Sequence, residues 1–321
     1  MAKRPDIPTG LHPVEQNRVY LNTGATERIF KNICRWISGV RSGCIVYGPS
    51  RIGKTKAIIV VKQNLAGAFP YMTVLDTDIS EHDITTENSF WRELLISFNH
   101  ISYKARTASE KLQVTEDFIV EEAYKDPCRR VVIFIDEAQE LGVKEYGYLR
   151  GLYNRITKRK VMPLFILMGD EELINNYLAY NNKNLTKITG RFMNEVHKIS
   201  GVKNLQEVNL ILNGYDSTEY PDGSGWSCTR YYFTRAYDNG WRLSSQSKKL
   251  WDAFQGIQNN NKRIPNEIYM THFSPAVNHI LRTMGDVNNP TPIITINDWE
   301  KALLFVGIDK FAFATKAYDE T

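Results

Sequence analysis

Residues 44–55 read Cys-Ile-Val-Tyr-Gly-Pro-Ser-Arg-Ile-Gly-Lys-Thr. A short apolar run, Cys44 to Tyr47, empties into a complete G-x-x-x-x-G-K-T phosphate loop, and a helix-like stretch, Lys56 to Leu65, follows. Strand, glycine-rich loop and helix in that order are what a polyphosphate cradle needs. Gly48 and Gly53 let the backbone curl so that its N–H groups surround the phosphates, and the helix N-terminus adds its positive end. Lys54 is expected to reach the β- and γ-phosphates, and the Thr55 hydroxyl to ligate Mg²⁺. Pro49, Ser50, Arg51, Ile52 and Lys56 complete the expected contacts to ATP.

About 80 residues on lies Val131-Val132-Ile133-Phe134-Ile135-Asp136-Glu137. Five apolar residues, mostly β-branched, describe a strand buried on both faces of a parallel sheet. Two carboxylates at the end of such a strand are costly unless a cation waits there. In a nucleotide hydrolase that cation is Mg²⁺, held through Asp136, and Glu137 polarises the attacking water. An acidic helix N-terminus before Ala138-Gln139-Glu140-Leu141 is a compatible alternative.

The rest of the chain sets the frame. Its 321 residues allow one large or two modest domains, and 42% hydrophobic with 24% charged residues is ordinary globular composition. No apolar run approaches the roughly 20 residues that span a bilayer. The start, Met-Ala-Lys-Arg-Pro-Asp, lacks a signal-peptide core. Cys34, Cys44, Cys128 and Cys228 form no C-x-x-C pair and read as reduced, mostly buried thiols in a cytoplasm. The histidines offer no metal spacing. Net charge is +4, a weak hint of nucleic acid, but Lys144 to Lys160 holds six Lys/Arg against one acid, and Lys104, Arg106 and Lys111 form a second cluster.

Residues 1–23 read as an extended N-terminal arm, followed by a helix from Thr26 to Ser38 with Ile29, Phe30, Ile33, Trp36 and Ile37 on one stripe. A strand is expected at 71–76, a helix capped by Thr86 or Asn88, another helix at 107–125 and one at 147–158. Pro163 to Met168 is a further apolar strand. Strands alternating with helices argue for a parallel α/β sheet over residues 24–203. Beyond it, 204–310 reads as a smaller, mainly helical domain. It has an inserted loop or hairpin at 214–245, a strand at Thr229 to Thr234, and helices at 245–255, 265–284 and 296–305. A C-terminal tail, 311–321, reads as mobile.

Four further positions bear on nucleotide chemistry. Asp170, after the strand Leu164 to Met168, resembles the first sensor of AAA+ ATPases; a helix N-cap before Glu171-Glu172-Leu173 is the alternative. Arg191 precedes the strand-like Glu195 to Ile199. In AAA+ proteins an arginine there enters the neighbouring subunit's site, an effect worth about 10³–10⁵ in rate; a surface arginine at a turn is the alternative. Arg263, before a long helix, resembles a second sensor, and Tyr20 joins it as an expected nucleotide contact.

Taken in order, these features resemble AAA+ ATPases over about residues 20–285. The implied fold is an α/β P-loop NTPase with a parallel sheet flanked by helices, plus a helical lid. The wording Gly-Pro-Ser-Arg-Ile-Gly-Lys-Thr, Phe-Ile-Asp-Glu-Ala-Gln-Glu-Leu and Gly-Arg-Phe-Met-Asn-Glu is similar to the TnsC family, regulators of multi-component DNA transposons, including RNA-guided ones. That resemblance implies a Mg²⁺-dependent ATPase that assembles with itself, as a ring (hexamer or heptamer) or filament, on double-stranded DNA. It would link a TniQ/TnsD-type target selector to a TnsA/TnsB transposase, with hydrolysis driving disassembly and no membrane partner. Lys104 and Arg106 are the first choice for tracking DNA phosphates, with Thr107 and Ser109 as hydrogen-bond donors and Arg150 as second choice. Arg155, Lys158 and Arg159 read as a solvated helix face. The alternatives are a MuB- or IstB-like helper, a secretion or DNA-repair motor, and a signalling or defence ATPase.

Overall fold

The computed structural model describes residues 3–79 and 86–310, which divide into two compact units. The first comprises Glu27–Ser50 and Lys54–Ile199. Its strands β1 (Gly43–Tyr47), β2 (Thr73–Asp78), β3 (Arg130–Asp136), β4 (Met162–Gly169) and β5 (Val196–Lys198) form one parallel sheet in the order β2-β3-β4-β1-β5. Strand β4 therefore lies between β1 and β3. Its last residue, Gly169, is level with Tyr47 on one side, while on the far side of β3 Asp136 is level with Asp78.

The helices follow from the sequence pattern. They are α1 (Gly24–Ser38), α2 (Lys54–Ala68), α3 (Glu87–Ser97), α4 (Ala108–Ala123), α5 (Val143–Lys158), α6 (Glu171–Asn182) and α7 (Thr186–Phe192). Thr86 caps α3 and Thr107 caps α4, each through a capping box. Along α5, Tyr146, Leu149, Leu152 and Ile156 are buried at helical spacing. They pack with Ile133, Ile135, Phe165 and Leu167 of the sheet. Burying each such side chain contributes roughly 1.5–3 kcal/mol, so β3 and β4 are the rigid centre on which the polar strand ends are mounted. Strand β2 begins two residues later than the sequence suggests; Tyr71 is exposed rather than paired.

The second unit comprises Met1–Thr26, Arg51–Gly53 and Ser200–Thr321. It holds α8 (Leu205–Ser217), α9 (Cys228–Tyr232), α10 (Thr234–Asp238), α11 (Ser247–Asn260), α12 (Met270–Met284) and α13 (Ile296–Phe305). Two expectations are corrected here. Thr229 to Thr234 is no strand: Ser227 accepts a hydrogen bond from Arg230 N and starts α9, and α10 follows. The hairpin in 214–245 shrinks to one antiparallel bridge, Glu219 with Ser227. The arm is also not free-standing. Val14, Val19 and Leu21 sit in the core of this unit with Phe273, Trp299 and Phe254, and Asn17 accepts a hydrogen bond from Asn278. The 311–321 tail lies outside the described residues.

Cys44 and Cys228 are buried and Cys34 is half-buried, but Cys128 is exposed. Among the described residues no helix is long and apolar enough to cross a membrane.

Candidate nucleotide site

The phosphate loop runs from the end of β1 into α2. Gly53 has φ +111°, which L side chains rarely adopt. Gly48 is required by proximity instead: a Cβ there would stand 2.2 Å from Ile199 Cγ2. Lys54 is 6% exposed, and its Nζ donates to the carbonyls of Gly48 at 3.2 Å and Pro49 at 3.4 Å. A buried ammonium bonded to neutral carbonyls fits an anion arriving in the loop. Ser50, Arg51 and Thr55 are exposed, Ile52 is buried, and Lys56 is half-buried in α2, where burial lowers its pKa.

The two motifs meet. Thr55 Oγ1 donates to Asp136 Oδ2 at 2.7 Å across 81 positions of sequence. The other oxygen of Asp136 accepts from Glu137 N at 3.1 Å. Burial, more than the charges of Glu137 and Asp78, pushes the Asp136 carboxyl above the usual carboxylate range, and the Thr55 and Glu137 N–H bonds pull against it. Asp78 is likewise raised, by burial first and then by Glu137. Negative charge thus gathers at the ends of β2 and β3, facing a loop that carries a lysine.

The donor set suits a phosphate-bound Mg²⁺, which typically takes one or two protein oxygens and keeps water and phosphate as its other ligands; here the pair is Thr55 and Asp136. Among the described residues no three His, Cys, Asp or Glu side chains cluster as a metal cage.

Glu137 occupies the left-handed region, φ 51° and ψ 40°, which costs a non-glycine residue about 1–2 kcal/mol. Its carboxylate accepts from Gln139 Nε2 at 2.6 Å. Asp170, the expected sensor, spends its carboxylate on Glu172 N at 2.9 Å as the N-cap of α6. Its backbone N–H donates instead to Gln139 Oε1 at 3.3 Å. Gln139 and Asp78 join the site without having stood among the residues expected there. Asp78 is detectable in the sequence as the second acid of Asp76-Thr77-Asp78 once the strand is extended to its end.

Arg191 lies in the last turn of α7, ahead of β5. Its guanidinium stands 4.3 Å from the centre of the Tyr153 ring and donates to Asn154 Oδ1. Tyr20 and Arg263 both belong to the helical unit and are exposed, Arg263 in the segment after α11.

The residues expected to meet DNA fall in two places. Lys104 ends a 3-10 turn, Ile101–Lys104, and is exposed, as are Arg106, Thr107 and Ser109. Lys104 and Arg92 stand 5.6 and 5.9 Å from the Tyr103 ring. Thr107 Oγ1 accepts from Glu110 N, and the Glu110 carboxylate takes the N–H groups of Arg106 and Thr107. Those amides are therefore committed to the α4 cap. Arg150 is separate: with Tyr146, Asn184 and Lys187 it lines a cavity of about 320 Å³. Arg155 and Arg159 form ion pairs with Glu116, and Arg159 also with Asp117, so α5 is tied to α4 rather than simply solvated.

Residues 39–176 match a family model described as an AAA domain. No curated protein matches the sequence. The solved structure of the Aeropyrum pernix ORC2 protein in its ADPNP-ADP complexes is similar, with a TM-score of 0.55 at 13% identity, covering 95% of this chain and 69% of that one. The ADP form of that protein gives 0.47 at 14% identity (94% and 71% covered). Aeropyrum pernix ORC1 in complex with DNA gives 0.43 at 11% identity (83% and 68% covered). The AAA domain match implies nucleotide binding and ATPase chemistry in the general sense. The first likeness and the sheet order together give the chain an AAA+ P-loop NTPase fold, a five-stranded parallel sheet flanked by helices.

Proposed function

We propose that this chain is an ATP-dependent, DNA-binding regulator of transposition of the TnsC type, which assembles with copies of itself on duplex DNA and is released by hydrolysis. The observation that carries the ATPase part is the Thr55–Asp136 hydrogen bond, 2.7 Å long, which joins the two nucleotide motifs into one site beside a buried lysine. Lys54 holds the β- and γ-phosphates. Mg²⁺, when bound through Thr55 and Asp136, neutralises charge on the phosphate oxygens. Glu137 takes the proton of the attacking water as its oxygen bonds to the γ-phosphorus; the bond to the β-phosphate oxygen breaks, and ADP and phosphate leave. Arg191 serves the site of a second copy, which makes hydrolysis depend on assembly.

DNA binding rests on the exposed cations Arg92 and Lys104 beside Tyr103, with exposed Arg106 two residues beyond Lys104. Such a surface tracks phosphates without reading bases. The TnsC assignment, with its TniQ/TnsD-type selector and TnsA/TnsB transposase, rests on the wording of residues 48–55, 134–141 and 190–195. Electron microscopy of the protein with duplex DNA tests the reading. Ordered rings or filaments around DNA are expected with a non-hydrolysable ATP analogue and not without nucleotide. Particles that stay monomeric with DNA and the analogue would contradict it.

A further inference from the structure

The amide of Gln139 belongs to no motif residue assigned a role above, yet it touches two of them. Its Nε2 donates to Glu137 Oε2 at 2.6 Å, and its Oε1 accepts from Asp170 N at 3.3 Å. One planar group thus spans the ends of β3 and β4. An amide suits this place and a carboxylate does not: a carboxylate cannot donate to Glu137, while the backbone N–H of Asp170 needs an acceptor. The network also settles which end of the amide is nitrogen.

Two contacts indicate a built position. Asn176 Nδ2 donates to the Gln139 carbonyl at 3.1 Å, fixing the turn from α6. Gly169, the last residue of β4, has no side chain where one would intrude: a Cβ there would stand 2.6 Å from Gln139 Oε1, and 2.9 and 3.1 Å from Cδ2 and Cβ of the buried Leu173. The bare strand end leaves room for both the amide and Leu173. Glu137 itself sits in left-handed backbone, so its carboxylate direction depends on such external ties.

We infer that Gln139 is a positioning residue for hydrolysis: it aims the Glu137 carboxylate and couples that aim to the end of β4. This rests on the proposed ATPase reading. Among the described residues the Gln139 side chain bonds Glu137, Glu140 and Asp170 and no phosphate-loop residue, so its loss affects turnover and spares nucleotide binding.

Steady-state ATP hydrolysis over a range of ATP concentrations, with duplex DNA present, tests this. Gln139→Ala is expected to lower kcat by about 10–100-fold with KM and the affinity for a fluorescent ATP analogue unchanged. Gly169→Ala, which keeps both Gln139 and Glu137 but crowds the amide and Leu173, is expected to lower kcat at unchanged KM where melting shows that it folds. The double variant is expected to be no slower than the slower single one, since both remove one interaction. Gln139→Glu, nearly isosteric, is expected to lose as much because a carboxylate then faces Glu137. Thermal melting checks that each variant folds; Gln139→Glu serves where Gly169→Ala does not. A normal kcat in Gln139→Ala and Gln139→Glu, or a raised KM at unchanged kcat, overturns the inference alone, provided that Glu137→Gln slows the same protein. A parent chain that hydrolyses no ATP overturns the function reading and this inference together.

Discussion

At the ends of β1, β3 and β4 the polar side chains are tied to one another across the sequence; around residues 101–109 they are tied to their own helix. Thr55 meets Asp136 and Gln139 meets Asp170, pairs 81 and 31 positions apart. Each is carried on an element whose other face is buried in the sheet core. Around the α4 start, by contrast, Thr107 and Glu110 satisfy each other, and Lys104 and Arg106 project from exposed backbone, with Ile101 82% exposed beside them. Directional chemistry such as phosphoryl transfer needs the first arrangement, because misplacement of a reacting group is costly. Sequence-independent attraction to a phosphate backbone needs only charge, and the second arrangement is enough.

That contrast can be broken at either end. The largest effect is expected from Lys54→Ala. Removing the buried cation of the loop is expected to lower ATP affinity by more than about 100-fold, because charge-assisted hydrogen bonds to phosphate are strong in a desolvated site, and to abolish DNA-dependent assembly. Equilibrium binding of a fluorescent ATP analogue measures it; near-normal affinity would remove the loop from the site. At the exposed region the change is graded. Lys104→Ala with Arg106→Ala is expected to reduce the slope of log affinity against log salt by about 2, one for each cation that no longer neutralises a phosphate, with ATP affinity unaltered. Titration of duplex DNA at several salt concentrations reads the slope, and an unchanged slope moves the DNA surface elsewhere. The smallest effect is expected from Thr107→Ala: a drop of about 1 kcal/mol in stability from the α4 cap, seen by denaturant unfolding, with the salt slope intact. A slope that falls at unchanged stability would make Thr107 a phosphate contact rather than a cap.

How much of this is legible in the sequence follows the same divide. The phosphate loop and Val131–Glu137 declare themselves because strand, loop and helix are local patterns, and β4 is readable as a buried apolar run. Its insertion between β1 and β3 is not readable, because strand order is a tertiary fact. Gln139 reaches Glu137 locally, two positions away, but its second contact, with Asp170 N across to the end of β4, depends on that strand order and leaves no signal in the sequence. Thr229 to Thr234 resembles a strand in its aromatic and β-branched content, but packing of Phe233 and Ala236 into the helical core overrides that preference. The Ser227 cap is the available clue. The arm carries only a faint period: Val19, Leu21 and Thr23 are buried in alternation with exposed Tyr20 and Asn22, but the alternation is only five residues long and no strand forms there.

In the proposed function a second copy of the chain completes the ATP site. Within one copy Arg191 rests on Tyr153 and Asn154 of α5. Mixing Arg191→Ala with Glu137→Gln measures its action on a neighbour directly. Each variant alone is expected to hydrolyse ATP at least about 100-fold more slowly than the parent on duplex DNA. Mixed before DNA and ATP are added, they are expected to regain a substantial fraction of the parent rate, because the Glu137→Gln subunit supplies Arg191 to a neighbour whose Glu137 is intact. A mixture no faster than the sum of its parts would contradict the account.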